Sequence, residues 1–154
     1  MLEIIGTKDI DPKVLDRITV GRITNTAEQI HYLDKMLEIN GLSLVLIDNV
    51  TDLFSFEYSK ESSSLEKHIV FMRYMRQLAF NAIKKRVPVV VINMTRKSES
   101  AEKENLDRSI SMFTHKKISL SRDGKKYLAQ IFPSFVTKKE FPYVITSRGL
   151  EEAS

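Results

Sequence analysis

Asp48 is the first residue whose setting suggests chemistry. It follows the apolar run SLVLI within GLSLVLIDNVTDLF, residues 41–54. If that run is a buried parallel strand, Asp48 stands at its carboxyl end, where open α/β sheets bind ligands, and its carboxylate suits the magnesium ion of a nucleotide. The same acid serves equally well as the polar residue that closes a core strand. A magnesium role calls for a partner, the phosphate loop GxxxxGK[ST], whose N–H groups cradle phosphates and whose lysine neutralises them. None of the five glycines (Gly6, Gly21, Gly41, Gly124, Gly149) has that spacing. Gly124-Lys125 is followed by Lys126 and has Ser119 five positions before Gly124, so the chain contains no phosphate loop.

A second constellation is basic. In KKISLSRDGKKYLAQIF, Lys116, Lys117, Arg122, Lys125 and Lys126 stand against one acid, Asp123, with Tyr127 and His115 nearby as stacking surfaces for bases. Lysines on an edge strand also deter aggregation, so a solvated edge hairpin is the competing interpretation. His31, His68 and His115 have no second histidine or cysteine at ligand spacing, which argues against zinc. The serine runs at 62–64 and 109–111 suit helix caps and loops, and Glu57 with Tyr58 a surface loop. No nucleophile stands beside a base, so independent enzyme chemistry is not expected.

The elements that must position these groups fit in 154 residues, the size of one domain. With 42% hydrophobic and 29% charged residues the composition is that of a soluble globular protein. No apolar run approaches the ~20 residues that span a bilayer, so no membrane association is expected. MLEIIGTKDI lacks the basic-then-apolar pattern of a secretory signal, and cysteine is absent, which makes a cytoplasmic location the expectation. The net charge of +4 mixes 24 basic with 20 acidic residues, which permits a polyanion partner without requiring one.

Asp11-Pro12 is a helix-start pair before VLDRI, and RITVGRI suggests a brief strand. Thr26 and Gln29 form a capping-box pattern ahead of the stripe Ile30, Leu33, Met36 and Leu37, and Asn40-Gly41 ends that helix. SLVLID is then a strand whose continuous apolar run predicts burial on both faces. A second helix spans about 63–86, with Ser63 and Glu66 as a capping box and Leu65, Ile69, Met72, Leu78, Ala82 and Ile83 on its apolar stripe, joined by Ala79. VPVVVIN, residues 87–93, is the next buried strand, which makes a βαβ unit. Residues 94–109 are polar with four basic residues (Arg96, Lys97, Lys103, Arg108) against four acidic ones (Glu99, Glu102, Glu104, Asp107), the pattern of a long mobile loop. Asp123-Gly124 predicts a tight hairpin, and FPYVITSRGL one further strand.

In order and spacing these elements resemble a RecA-type recombinase core, nearest the archaeal RadA and RadB recombinases. IDNVTDLF, the helix 63–86, VPVVVIN and KKISLSRDGKKYLAQIF…FPYVITSRGLEEA are similar to its C-terminal two-thirds, and DPKVLDRITVGRITNT extends the resemblance over nearly the whole chain. The resemblance implies a single truncated RecA-like domain over residues 1–154. Its α/β core would be a mostly parallel sheet flanked by helices, with a C-terminal antiparallel extension and a flexible loop at 94–109.

Asp48 then occupies the Walker B position, which the family uses for the magnesium of bound ATP. Where the family has Asn-Gln, the Gln sensing the γ-phosphate, this chain has Asn93-Met94, and a thioether cannot donate that hydrogen bond. Residues 94–109, with Arg96 and Lys97, lie where the family's second DNA-binding loop would be but lack its glycines. IFPSFVTKKE shows Pro133 where the family commonly caps a neighbour's adenine with an acid. The chain starts just after the strand that would carry the catalytic glutamate.

These departures predict a non-catalytic paralogue that acts as a binding or regulatory module in DNA recombination and repair. Asp48 and Asn93 would be vestigial nucleotide positions, and no cofactor is expected. The expected partners are a second copy or a full-length recombinase, with DNA a further candidate. Uncovered sheet edge and apolar surface would then call for a partner, or for rebuilding by residues 1–10. The alternative is a fragment or subunit of a RecA-type DNA-dependent ATPase whose phosphate loop lies elsewhere, with Mg-ATP as cofactor and Asp48 as the magnesium ligand.

Overall fold

The computed structural model describes residues 11–97, 102–124, 126–133, 139–147 and 149–153. By its contacts the chain divides into two compact units, residues 22–113 and the segment up to Gly21 with residues from Thr114 onward. Both helices and strands are present, so the chain is α/β.

In the unit 22–113, helix α1 (Thr26–Glu38) leads to strand β1 (Val45–Ile47) and helix α2 (Asp52–Glu57). Helix α3 (Ser64–Lys85) then leads to strand β2 (Val89–Val91). The predicted capping box is displaced by one residue. Asn25 is the N-cap, its Oδ1 accepting from the Glu28 N–H at 2.8 Å, and the Glu28 carboxylate accepts from the Thr24 N–H at 2.8 Å and the Thr24 hydroxyl at 3.0 Å. Those bonds, the Thr24 backbone N–H foremost, hold the Glu28 carboxyl below the usual carboxylate range. Thr26 and Gln29 are buried instead. Gln29 Nε2 donates to the Val50 carbonyl at 3.1 Å, while the Thr26 N–H and hydroxyl both donate to the carboxylate of Glu57. Glu57 therefore closes α2 and ties it to the start of α1, rather than lying in a surface loop.

Helix α3 forms as predicted, but its buried face is turned from the expected stripe. Phe71, Tyr74, Met75, Leu78 and Asn81 are buried at helical spacing, whereas Leu65, Ile69 and Ile83 are exposed. Ser63 sits at the N-cap position without capping, because its hydroxyl donates to the Lys60 carbonyl at 2.7 Å. At the other end Arg86 adopts a left-handed conformation at φ 56°, and the Val87 N–H reaches the Ala82 carbonyl at 3.0 Å. The aromatic centre of the core is Phe54 edge-on to Phe71 with centroids 5.0 Å apart, and Tyr74 5.5 Å from Phe54. Burial pushes the Tyr74 phenol up. Asn81, fully buried, donates to the Leu33 carbonyl at 2.7 Å and so joins α1 to α3.

Strands β1 and β2 pair in parallel, Val45 with Val89 and Ile47 with Val91, and α3 connects them as the predicted βαβ unit requires. Val45, Ile47, Val89 and Val91 pack on the core. The opposite face carries Leu46 and Val90, 66% and 47% exposed, so the expected burial on both faces is not met among the described residues. The segment read as a mobile loop contains strands β3 (Thr95–Lys97) and β4 (Glu102–Glu104), paired antiparallel, and helix α4 (Asp107–Ser111). Leu106 and Ile110, four residues apart, bury together in the core and hold α4 there. Residues 98–101 lie outside the described residues.

In the other unit, Asp11 caps a 3₁₀ helix (Pro12–Arg17) by accepting from the Lys13 N–H at 3.0 Å, and RITVGRI continues from it without forming a strand. Strands β5 (Lys116–Asp123), β6 (Lys126–Pro133), β7 (Lys139–Thr146) and β8 (Gly149–Glu152) form one antiparallel sheet in chain order. The β5–β6 turn falls one residue beyond Asp123-Gly124, since Asp123 pairs with Lys126 and Gly124 takes the left-handed φ of +58°. FPYVITSRGL spans two strands instead of one. Among the described residues the parallel ladder has two strands, and the antiparallel extension expected at the C-terminus is a four-stranded sheet. Among the described residues no helix is long and apolar enough to cross a membrane.

Candidate functional site

The carboxyl ends of β1 and β2 bring together Asp48, Asn49, Thr51 and Asn93. Val50 N–H donates to the Ile92 carbonyl at 3.0 Å, which holds the chain leaving β1 beside the end of β2. Thr51 is fully buried, and its hydroxyl lies 2.7 Å from Asn93 Oδ1 and 3.2 Å from Asn49 Oδ1. A hydroxyl has one proton to donate, and the nearer Asn93 oxygen receives it. Asn49 Oδ1 accepts from the Thr51 N–H at 2.9 Å, an Asx turn over N-V-T.

Asn93 continues the chain of bonds. Its Nδ2 donates to the Asn105 carbonyl at 2.8 Å, and Asn105 Nδ2 donates to Ser55 Oγ at 2.7 Å. The network links β2, the approach to α4 and helix α2, all of which pack around Phe54 and Ile110. One buried donor, Asn49 Nδ2, has no partner. Such a network of amides and hydroxyls rigidifies a strand end; it supplies no acid, base or activated nucleophile.

Asp48 is exposed at the edge of this network. Its placement at the end of a parallel strand matches the sequence expectation, and Asn93 stands within the same cluster. Among the described residues no three His, Cys, Asp or Glu gather as metal ligands, and both ends of the Asn93 amide are hydrogen-bonded within the protein. Met94, the residue after Asn93, is exposed.

The described basic residues of the β5–β6 hairpin divide between two faces of the sheet. Residues directly opposite on an antiparallel ladder share a face, and faces alternate along a strand. Lys116 and Arg122 therefore lie on one face of the sheet with Tyr127, and Lys117 and Lys126 on the other. The Arg122 guanidinium sits 5.4 Å from the Tyr127 ring centroid. Lys125 lies outside the described residues, as do residues 134–138 of IFPSFVTKKE and all of residues 1–10. Arg96 and Lys97 are on β3, in the other compact unit from the hairpin.

Thr51, Asn105 and Ser55 were not singled out from sequence. The N-x-T pattern after Asp48 carries a local signal for Thr51, whereas the reach of Asn93 to Asn105 and of Asn105 to Ser55 depends on the fold.

Fold and site together define an α/β protein with a structural polar network at a parallel strand end and a separate antiparallel sheet. In comparison with known proteins, no family model and no curated protein sequence matches this chain.

Proposed function

We propose that this chain is a non-catalytic RecA-like module, a RadB-like paralogue that acts in DNA recombination and repair by binding another protein. The observation that carries the non-catalytic part is the Thr51–Asn93–Asn105 chain of hydrogen bonds, which commits the Asn93 amide to the fold. The resemblance of IDNVTDLF, VPVVVIN and the C-terminal hairpin to a RecA-type core supports the recombination setting. Exposed Leu44, Leu46, Val90 and Ile92 on and beside the parallel strands supply apolar surface for a full-length recombinase or a second copy.

A recombinase partner is tested by fluorescence anisotropy. Labelled chain titrated with a full-length RecA-type recombinase should bind saturably, with a dissociation constant in the micromolar range or below, and should do so without nucleotide. No binding at high micromolar recombinase would contradict the reading.

The exposure of Asp48 favours a second reading, in which another chain supplies the phosphate loop and Asp48 contributes to the magnesium site of a shared Mg-ATP. DNA contact is a weaker companion to either reading, because the described lysines and arginine of the β5–β6 hairpin divide between two faces.

A further inference from the structure

Helix α3 is apolar on two sides. One side, with Phe71, Tyr74, Met75 and Leu78, is buried in the core. The other carries Leu65, Ile69, Met72, Phe80 and Ile83, which recur at helical spacing with Arg76 in the place between Met72 and Phe80. At ~100° per residue these positions fall within an arc of roughly 80°, turned away from the buried side. Leu65, Phe80 and Ile83 are 72%, 58% and 74% exposed, and Ile69 is 44% exposed. A helix with one face in a core ordinarily presents charged and polar side chains on the other, so an apolar stripe of about five turns, or ~27 Å, calls for a partner.

The charges on and beside the stripe say what kind of partner fits. Arg73, Arg76 and Lys84 stand against one acid, Glu66. Arg73 and Arg76 are both exposed near the middle of the helix, where they line a cleft of about 370 Å³ between α1 and α3 together with Ile30, Asp34 and Val70. Two copies of α3 laid stripe to stripe over their full length, parallel or antiparallel, bring the arginines of one within about one helical turn of those of the other, and like charges so placed repel. Carboxylates on an incoming helix would pair with the same guanidinium groups instead.

We propose that the outer stripe of α3 docks an amphipathic helix of another protein, one with an apolar face along its length and acidic side chains near its middle that pair with Arg73 and Arg76. The apolar side chains give the contact its area, and the arginines set which helices are accepted.

A contact ~27 Å long and about 10 Å wide offers roughly 300 Å² of facing surface on each partner, below the size of a standard interface, so the complex is a transient one with a dissociation constant of about 10–100 μM. The inference does not rest on the recombinase reading. Leu46 and Val90 face away from the same core on the side of the parallel strands, so the two surfaces are separate.

Fluorescence anisotropy with the full chain tests it. The probe is a labelled helical peptide of ~20 residues with leucines at helical spacing along one face and glutamates beside its middle, compared with the same peptide carrying lysines in place of the glutamates. The glutamate peptide should bind saturably, and the lysine peptide at least ~10-fold more weakly. R73E/R76E should reverse that preference, and Ile83→Asp should weaken the glutamate peptide at least ~10-fold. Both variants change exposed residues, and far-UV circular dichroism checks that they are folded. Leu46→Asp, on the other surface, should leave the peptide's affinity unchanged, which separates failure here from failure of the recombinase reading. No saturable binding at high micromolar chain, equal affinity for the two peptides, or a preference unchanged in folded R73E/R76E would overturn the proposal. So would sedimentation that shows a wild-type dimer dissociated by Ile83→Asp, because the stripe would then belong to a second copy.

Discussion

Replacing Phe71 with alanine should remove most of the stability of the 22–113 unit. Phe71 is fully buried, its ring edge-on to Phe54 at 5.0 Å and 6.2 Å from Tyr74. Truncating such a side chain removes its transfer free energy and leaves a cavity that neighbours fill only in part, a cost of about 3–5 kcal/mol. Domains of this size are stable by only about 5–15 kcal/mol in total, so the variant should unfold at far lower urea concentration or fail to fold. Phe80 provides the control on the same helix. It is 58% exposed, and Phe80→Ala should change stability by no more than about 0.5 kcal/mol. Urea titrations followed by far-UV circular dichroism measure both, and equal midpoints for the two variants would mean that the buried face of α3 is wrongly placed.

The second large effect is expected at Asn93. Asn93→Leu keeps the side chain close in volume but removes the acceptor for the buried Thr51 hydroxyl and the donor to the Asn105 carbonyl. Leaving buried polar groups without partners costs about 1–3 kcal/mol each, so the variant should lose ~2 kcal/mol or more. Thr51→Val, combined with Asn93→Leu, should recover part of that loss, because the stranded hydroxyl is then gone as well. A double-mutant cycle by urea denaturation reads the coupling directly. If Asn93 instead served a bound phosphate, its replacement would leave the stability of the free protein nearly unchanged and the cycle would show additivity.

The regular elements were the most legible part of this fold. The 3.6-residue recurrence announced α3, the apolar runs announced β1 and β2, and the alternation around Gly124 announced the β5–β6 hairpin. What the periodicity left open was what covers each face. SLVLI is apolar throughout, but whether Leu46 is covered depends on residues elsewhere, and among the described ones nothing covers it. Two capping patterns one residue apart compete at the start of α1, and the burial of Thr26 and Gln29 decides for Asn25 and Glu28. Helix α4 is only five residues long amid charges, with Leu106 and Ile110 as its sole apolar anchors in the core.

The site was half legible for the same reason. Asp48 and Asn93 lie at adjoining strand ends as their sequence positions suggested, since parallel pairing follows from the βαβ pattern. The engagement of Asn93 with Asn105 joins residues on different elements and has no local signature. Conversely, the division of Lys116 and Arg122 from Lys117 and Lys126 follows from the two-residue period of a strand.

If this strand end serves the fold alone, as the proposed function has it, the chain by itself binds no nucleotide. Calorimetric titration of the full chain with Mg-ATP tests it most directly. The account predicts no heat of binding beyond dilution, with Asp48→Asn indistinguishable from wild type. Saturable binding with micromolar affinity that Asp48→Asn abolishes would contradict it.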